Sequence, residues 1–380
     1  MDKIDLTDKS YAMIFSANIW HKADQEAGRN VLLLVDDKGK WDAYTTYLLD
    51  RANVNWTKDG LYLSDYKYEY FINNEGTIQK AERTTELLDA TAQDGSSVDE
   101  ENGVWSWFDV GFSDDGYDTR LTYQNKDKRT EKIVEGVYSH LFTAGTELYG
   151  VTSSFDLPNG INKGGQFGLV KFVGEELTPT VLSSYPLPTP EMDVALVSQQ
   201  VAQKGDTIHV IGEAESEGET IQTNLMKWNL NDGEFELDRI AVPTDHFSGE
   251  ISVYSYYTDQ DALIGNDLYW FNERAELMKT SIDTNQTDLI QSYDVDIQDE
   301  MFYTARFVGD QIHMMVNDTT WGNSSDSAGT KMRLIKTSVK SPETYTTVEI
   351  SKGDKLSQLF SSASLTPTQN SFAVRPIHVD

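Results

Sequence analysis

Four times along the chain a short apolar run ends in lysine: Leu169-Val170-Lys171, Leu225-Met226-Lys227, Leu277-Met278-Lys279 and Leu334-Ile335-Lys336. The lysines are spaced 56, 52 and 57 residues apart. Upstream of each lies a second landmark, Gly145-Thr-Glu-Leu-Tyr149, Gly205-Asp-Thr-Ile-His209, Gly265-Asn-Asp-Leu-Tyr269 and Gly309-Asp-Gln-Ile-His313. Two landmarks kept in one order at one period mean a chain of repeated supersecondary units, each burying its apolar face on its neighbours.

Each unit reads as four strands. Between residues 194 and 243, a first strand from Ala195 to Ala202 meets a Lys-Gly-Asp turn, and Thr207 to Gly212 alternates as a second strand. Asn224 to Leu230 is the third, and the turn Asn231-Asp232-Gly233 leads into Phe235 to Val242, the fourth. Asn-Asp-Gly between apolar runs marks a hairpin because these residues tolerate positive φ. The same plan fits 137–187, 250–296 and 300–350. It fits less regularly over 50–83, over 84–136 with a long first connection from Asp94 to Gly103, and over 11–49. The count is seven units, with six or eight as alternatives. The tail, 356–380, carries two strand-like runs and is expected to close a ring by completing the unit begun at 11–49.

Four-stranded units at this period, with no helical periodicity between them, resemble the β-propeller superfamily over essentially the whole chain, as a single domain 1–380. The resemblance is architectural, to propellers of the bacterial extracellular or lipoprotein type, without WD40 or kelch landmarks. Asp37-Lys-Gly39-Lys-Trp41 is similar to the Asp-box turn of sialidase-like propellers, with one residue fewer before the Trp and no leading Ser.

Composition narrows the partners. The 380 residues carry 62 Asp and Glu against 31 Lys and Arg, a net charge of −31 that repels phosphate backbones and anionic lipid surfaces. Nucleic acid is therefore not an expected partner. There is no cysteine, which excludes disulfides, thiolate metal sites and Cys nucleophiles. No segment is long and apolar enough for a transmembrane helix, and the start, Met1-Asp-Lys-Ile-Asp-Leu6, has no signal-peptide apolar region. The expectation is the mature part of an extracellular or cell-surface protein lacking its signal peptide.

In an up-and-down blade the 1–2 and 3–4 turns share one side of the disc and the 2–3 and 4–1 connections the other. The first pair reads as short. The second reads as long, including Ser153 to Gly165, Glu213 to Gln222 and Asn317 to Lys331, and loops that lengthen on one side of a rigid scaffold usually carry binding. Trp321 beside Asp318, Phe155 beside Asp156, and Trp20 offer flat apolar faces with polar edges, which suit sugar rings. His246 lies in a long connection. Arg306 falls on a predicted inner strand, where it would line the channel and need a carboxylate partner. Asp294, Asp296, Asp299 and Glu300 alternate as in a Ca²⁺ loop, without the glycine and final Glu spacing of an EF-hand. His209 and His313 occupy the place of Tyr149 and Tyr269, which points to packing.

No Gly-x-Ser-x-Gly elbow, zinc signature or phosphate loop is present. The expected function is a non-catalytic binding or scaffold propeller of the bacterial cell exterior, taking a glycan or a basic protein surface on the long-loop side. The alternatives are a carbohydrate-active hydrolase or lyase using loop carboxylates, and a divalent-cation binder.

Overall fold

The computed structural model describes residues 3–17, 31–46, 52–64, 68–82, 94–99, 101–113, 116–138, 140–154, 166–186, 193–196, 201–216, 219–241, 262–272, 275–293, 295, 301–317, 332–350 and 365–376. They form seven antiparallel sheets. The first takes β1 (Tyr11–Ala17), β2 (Val31–Val35) and β3 (Trp41–Thr45). The second is β4 (Asn53–Trp56), β5 (Gly60–Ser64), β6 (Tyr68–Asn73) and β7 (Ile78–Glu82). The third is β8 (Asp94–Val98), β9 (Val104–Ser113), β10 (Gly116–Gln124) and β11 (Arg129–Glu135). The fourth is β12 (His140–Ala144), β13 (Glu147–Ser154), β14 (Gln166–Val173) and β15 (Thr178–Pro186). The fifth has β16 (Asp193–Leu196), β17 (Ala202–Lys204), β18 (Thr207–Ser216), β19 (Glu219–Asn229) and β20 (Phe235–Arg239). The sixth is β21 (Ala262–Ile264), β22 (Asp267–Phe271), β23 (Glu276–Ser281) and β24 (Thr287–Ser292). The seventh is β25 (Met301–Val308), β26 (Gln311–Asn317), β27 (Met332–Ser338) and β28 (Thr346–Ile350). Last in sequence, β29 (Leu365–Val374) pairs with β1 and so becomes the first strand of the first sheet. The result is a seven-bladed β-propeller closed by its C-terminal tail, as the repeat and the tail's strand-like runs imply.

The two sequence landmarks meet across strands. Tyr149 pairs with Lys171, His209 with Lys227, Tyr269 with Lys279 and His313 with Lys336, always between the second and third strands of a blade. Three of these lysines extend to a carboxylate of the same blade: Lys171 to Glu147 at 2.6 Å, Lys227 to Asp238 at 2.7 Å and Lys279 to Asp288 at 3.9 Å. Cross-strand pairs of this kind hold strand register. The landmark glycines Gly145, Gly205, Gly265 and Gly309 have φ between 60° and 69° and open the two-residue 1–2 turns. The second residue of each turn is not among the positive-φ positions, so these are type II′ turns, which favour glycine first.

Apolar clusters fill six of the seven seams between blades. Between the first and second blades, for example, Ile14, Leu32 and Leu34 meet Val54, Leu61 and Ile72. Among the described residues the apolar cluster at the seam between the second and third blades is limited to Tyr62, Phe71 and Val104.

Two stretches differ from their sequence reading. Asp94 to Gly103 is read as a connection, but Asp94–Val98 is the inner strand of the third blade. Its Gly-Ser composition is turn-like; it pairs because Gly95 lies opposite Trp107 and leaves room for the indole, which a Cβ at Gly95 would meet at 2.2 Å. Replacing Gly95 with Val is therefore expected to lower stability by about 2 kcal/mol, as overpacking a full site does, measured as a shifted urea midpoint at constant m-value. Glu213 to Gln222 is read as a loop, yet β18 and β19 run on through it and pair as far as Ser216 with Glu219.

Candidate functional site: a polar seam between two blades

The second–third seam replaces apolar packing with polar side chains. On the third blade Ser96, Ser106, Thr122 and Glu131 are successive cross-strand partners, so they project from one face. On the second blade Asn53 pairs with Ser64 and Ser64 with Glu69, again on one face. The two faces meet: Asn55 Nδ2 donates to Ser96 Oγ at 2.7 Å, and Ser64 Oγ and Ser106 Oγ share a hydrogen bond of 3.2 Å. Farther out, Arg129 Nε donates to the buried carboxylate of Glu69 while its Nη2 reaches Glu131 at 2.9 Å. Arg120, fully buried, lies on the same face of the third blade with its guanidinium 5.4 Å from the Phe108 ring centre. Among the described residues the seam thus contains two guanidinium groups, two carboxylates, two amides and four aliphatic hydroxyls, with the Tyr62 phenol beside them.

Three polar atoms in this seam are buried and have no hydrogen-bond partner among the described residues: Asn53 Nδ2, Tyr62 Oη and Thr122 Oγ1. Burial, reinforced by the carboxylate of Asp59, pushes the Tyr62 hydroxyl well above its ordinary range, so it remains a protonated donor. A buried unpartnered donor costs about 1–3 kcal/mol, and such atoms mark places where water or a ligand completes the bonding.

A second polar feature tracks the repeat. The residue just before the Leu of the lysine landmark is Gly168, Asn224, Glu276 or Arg333, and Arg120 precedes Leu121 at the matching place in the third blade. Asn224 and Glu276 are buried, and the residue that follows this position is a buried Leu in all five blades. Glu276 accepts from Asn272 Nδ2 at 2.7 Å, and the intervening Ala275 sits at φ 57° with its N–H on the Asn272 carbonyl. The repeat therefore holds one chemically variable position on the 2–3 side of every third strand from the third blade to the seventh. Its signal in the sequence is the residue one step ahead of each lysine landmark.

Of the residues proposed from sequence, Arg306 lies on β25 as expected. It is buried at the seventh–first seam, where its Nε donates to the Phe372 carbonyl at 2.8 Å. Trp20, Phe155, Asp156, His246, Asp318 and Trp321 lie outside the described residues, as do Asp294, Asp296, Asp299 and Glu300. Among the described residues no three His, Asp or Glu are grouped to hold a metal, and no helix is long and apolar enough to cross a membrane.

Among solved structures, a protein from Lactobacillus plantarum is 12% identical, with 97% of this chain and 99% of that one covered at a TM-score of 0.50. Apo AztD from Citrobacter koseri is 12% identical over 97% and 98% at 0.47, and lignostilbene dioxygenase from Pseudomonas brassicacearum is 9% identical over 90% and 88% at 0.49. At these identities the likeness is one of fold. No curated protein sequence matches. The family model described as "YycP, beta-propeller domain" matches residues 5–350, from just before β1 to the last residue of β28, and the chain belongs to that family.

Proposed function

We propose that the protein is a non-catalytic binding or scaffold propeller of the bacterial cell exterior, and that its ligand is a hydroxyl-rich molecule of the glycan class. The observation that supports this is the second–third seam, with its unpartnered Asn53 Nδ2, Tyr62 Oη and Thr122 Oγ1. Amides, hydroxyls and guanidinium groups in balanced charge match the donor and acceptor pattern of a sugar, which the net charge of the whole molecule does not repel. Both carboxylates of the seam are engaged by Arg129, which favours binding over acid–base chemistry.

A glycan and peptide array probed with the intact protein tests the reading. Glycan hits are expected, weakened at least tenfold in an Asn53→Leu, Thr122→Val double variant. Removing an unpartnered hydroxyl and keeping its shape leaves the fold within about 1 kcal/mol, so the loss would report on the ligand. Hits confined to basic peptides, or glycan hits unchanged in the double variant, would sink the assignment. Cleavage of the arrayed glycans would replace it with a hydrolase. Trp321→Ala, run in parallel, shows whether the ligand extends to the long connection between β26 and β27.

A further inference from the structure

The ring closes by hydrogen bonds alone where β1 meets β29 inside the first blade, and β1 is held in turn against the seventh blade at a junction that contains a buried histidine. His313 is the second-strand landmark of the seventh blade. Its Nδ1 is 3.1 Å from Tyr11 Oη on the first blade, and the two rings meet edge to face at 5.6 Å. Tyr11 in turn stacks on Phe372 of the closing strand, whose carbonyl accepts from Arg306. We propose that Tyr11 and His313 form a proton-sensitive latch that holds the ring shut, and that acidification releases the closing strand β29 from the seventh blade.

The neighbours of His313 make its protonated form costly. Its cross-strand partners are Arg306 on β25 and Lys336 on β27, so a charged imidazole would lie between two cations in one row. From the first blade the facing groups are Tyr11 on β1, itself held protonated by burial, and the carboxylate of Asp37 in the β2–β3 turn. Phe372, Val374, Leu33 and Met315 surround the junction and give a charge no hydration. Nε2 has no partner among the described residues, so the ring bonds through one nitrogen only. Burial, then the charge of Lys336, lowers the imidazole from 6.5 to about 4 against the weaker pull of Asp37.

The sign follows. A group that is neutral in the folded ring and takes up a proton more readily when released favours the closed state above pH 6.5, and this preference is lost as pH falls toward about 4. Among the described residues no other blade has this arrangement. His209 holds the same row in the fifth blade and is also shifted down by burial, but it faces Ala202 where His313 faces Arg306, away from the closing strand.

Hydrogen exchange on the full chain, corrected for intrinsic rates and followed from pH 7 to 4.5, tests the latch. Amides of β1 and β29 should lose at least tenfold more protection than those of β22 and β23 in the sixth blade. His313→Tyr, which restores the residue found at this position in the fourth and sixth blades, should abolish that difference. Tyr11→Phe should lower seam protection at pH 7 and keep the acid step, and His209→Tyr should leave the step intact. Equal loss in the two regions, an acid step that survives His313→Tyr, or one removed by His209→Tyr would each overturn the proposal.

Discussion

A chain that ends at Ile350, where the family match also ends, is expected to lose cooperative unfolding, although it keeps six complete blades. The reason is what β29 covers. It is hydrogen-bonded along β1 and packs against β4 of the second blade and β25 of the seventh, so its removal opens both flanking seams. Phe372 is fully buried among Met13, Leu33 and Met315, and truncating that side chain alone should cost roughly 4 kcal/mol. The backbone consequences add to this. The inner edge of β1 would present unpaired N–H and C=O groups, and Arg306 would lose the Phe372 carbonyl while still buried. Arg375, which bonds the Leu6 and Lys9 carbonyls and so ties the N-terminal segment down, would go as well. Against a typical domain stability of about 5–15 kcal/mol the sum leaves little margin. Urea melts followed by circular dichroism and tryptophan fluorescence decide the matter. A single transition with the full-length midpoint and slope would show that six blades suffice.

The architecture was legible because the repeat is written in residues that the fold uses physically. The glycine landmark begins with the left-handed residue of a two-residue turn and ends in a Tyr or His, and the lysine landmark pairs with that Tyr or His on the adjacent strand. Where the fold meets the same need with different chemistry, the pattern fades. Asp8, at φ 58° two residues ahead of Ser10, stands to the first blade as Gly145 stands to Glu147 in the fourth, and an aspartate does not read as a repeat of glycine. The strand Asp94–Val98 is hidden in the sequence because its pairing depends on Trp107, on the next strand, filling the space over Gly95. The polar seam is of the same kind. Asn53, Ser106 and Thr122 are unremarkable in sequence, and only the register of two blades brings them to one interface. The aromatic and acidic candidates, by contrast, stand in connections, which is a local property that a sequence displays directly.

Replacing Gly39 with Asn is expected to destabilise the protein by about 3 kcal/mol or more, and the comparison that isolates the cause lies within the same chain. Gly39 closes the β2–β3 turn at φ 79°; its N–H bonds the Asp36 carbonyl and the Asp36 carboxylate caps the N–H groups of Lys38 and Lys40. Asn102 holds the equivalent place in the turn after β8, at φ 63°, with its N–H on the Asp99 carbonyl and the Asp99 carboxylate on Glu101 and Gly103. The left-handed conformation is thus within reach of asparagine in this turn, and the backbone cost of the substitution is small, well under that of a β-branched residue. What differs is the surroundings. A Cβ at Gly39 would lie 2.2 Å from the carbonyl oxygen of Glu349 and 3.0 Å from Val348 on the outer strand of the seventh blade. Both obstacles belong to the sheet across the closing seam, so relief requires the first and seventh blades to move apart. Gly233 makes the control: its φ is 73°, its turn matches the one in which Asn285 stands in the sixth blade, and its nearest obstacle, the Leu182 carbonyl, is 3.0 Å away. Gly233→Asn should therefore cost about 1 kcal/mol or less, because a few tenths of an ångström suffice there. Equal losses in the two variants would assign the effect to backbone conformation. A much larger loss at Gly39 would show that the turn is a spacer across the seam, and that the ring closes only because this position has no side chain.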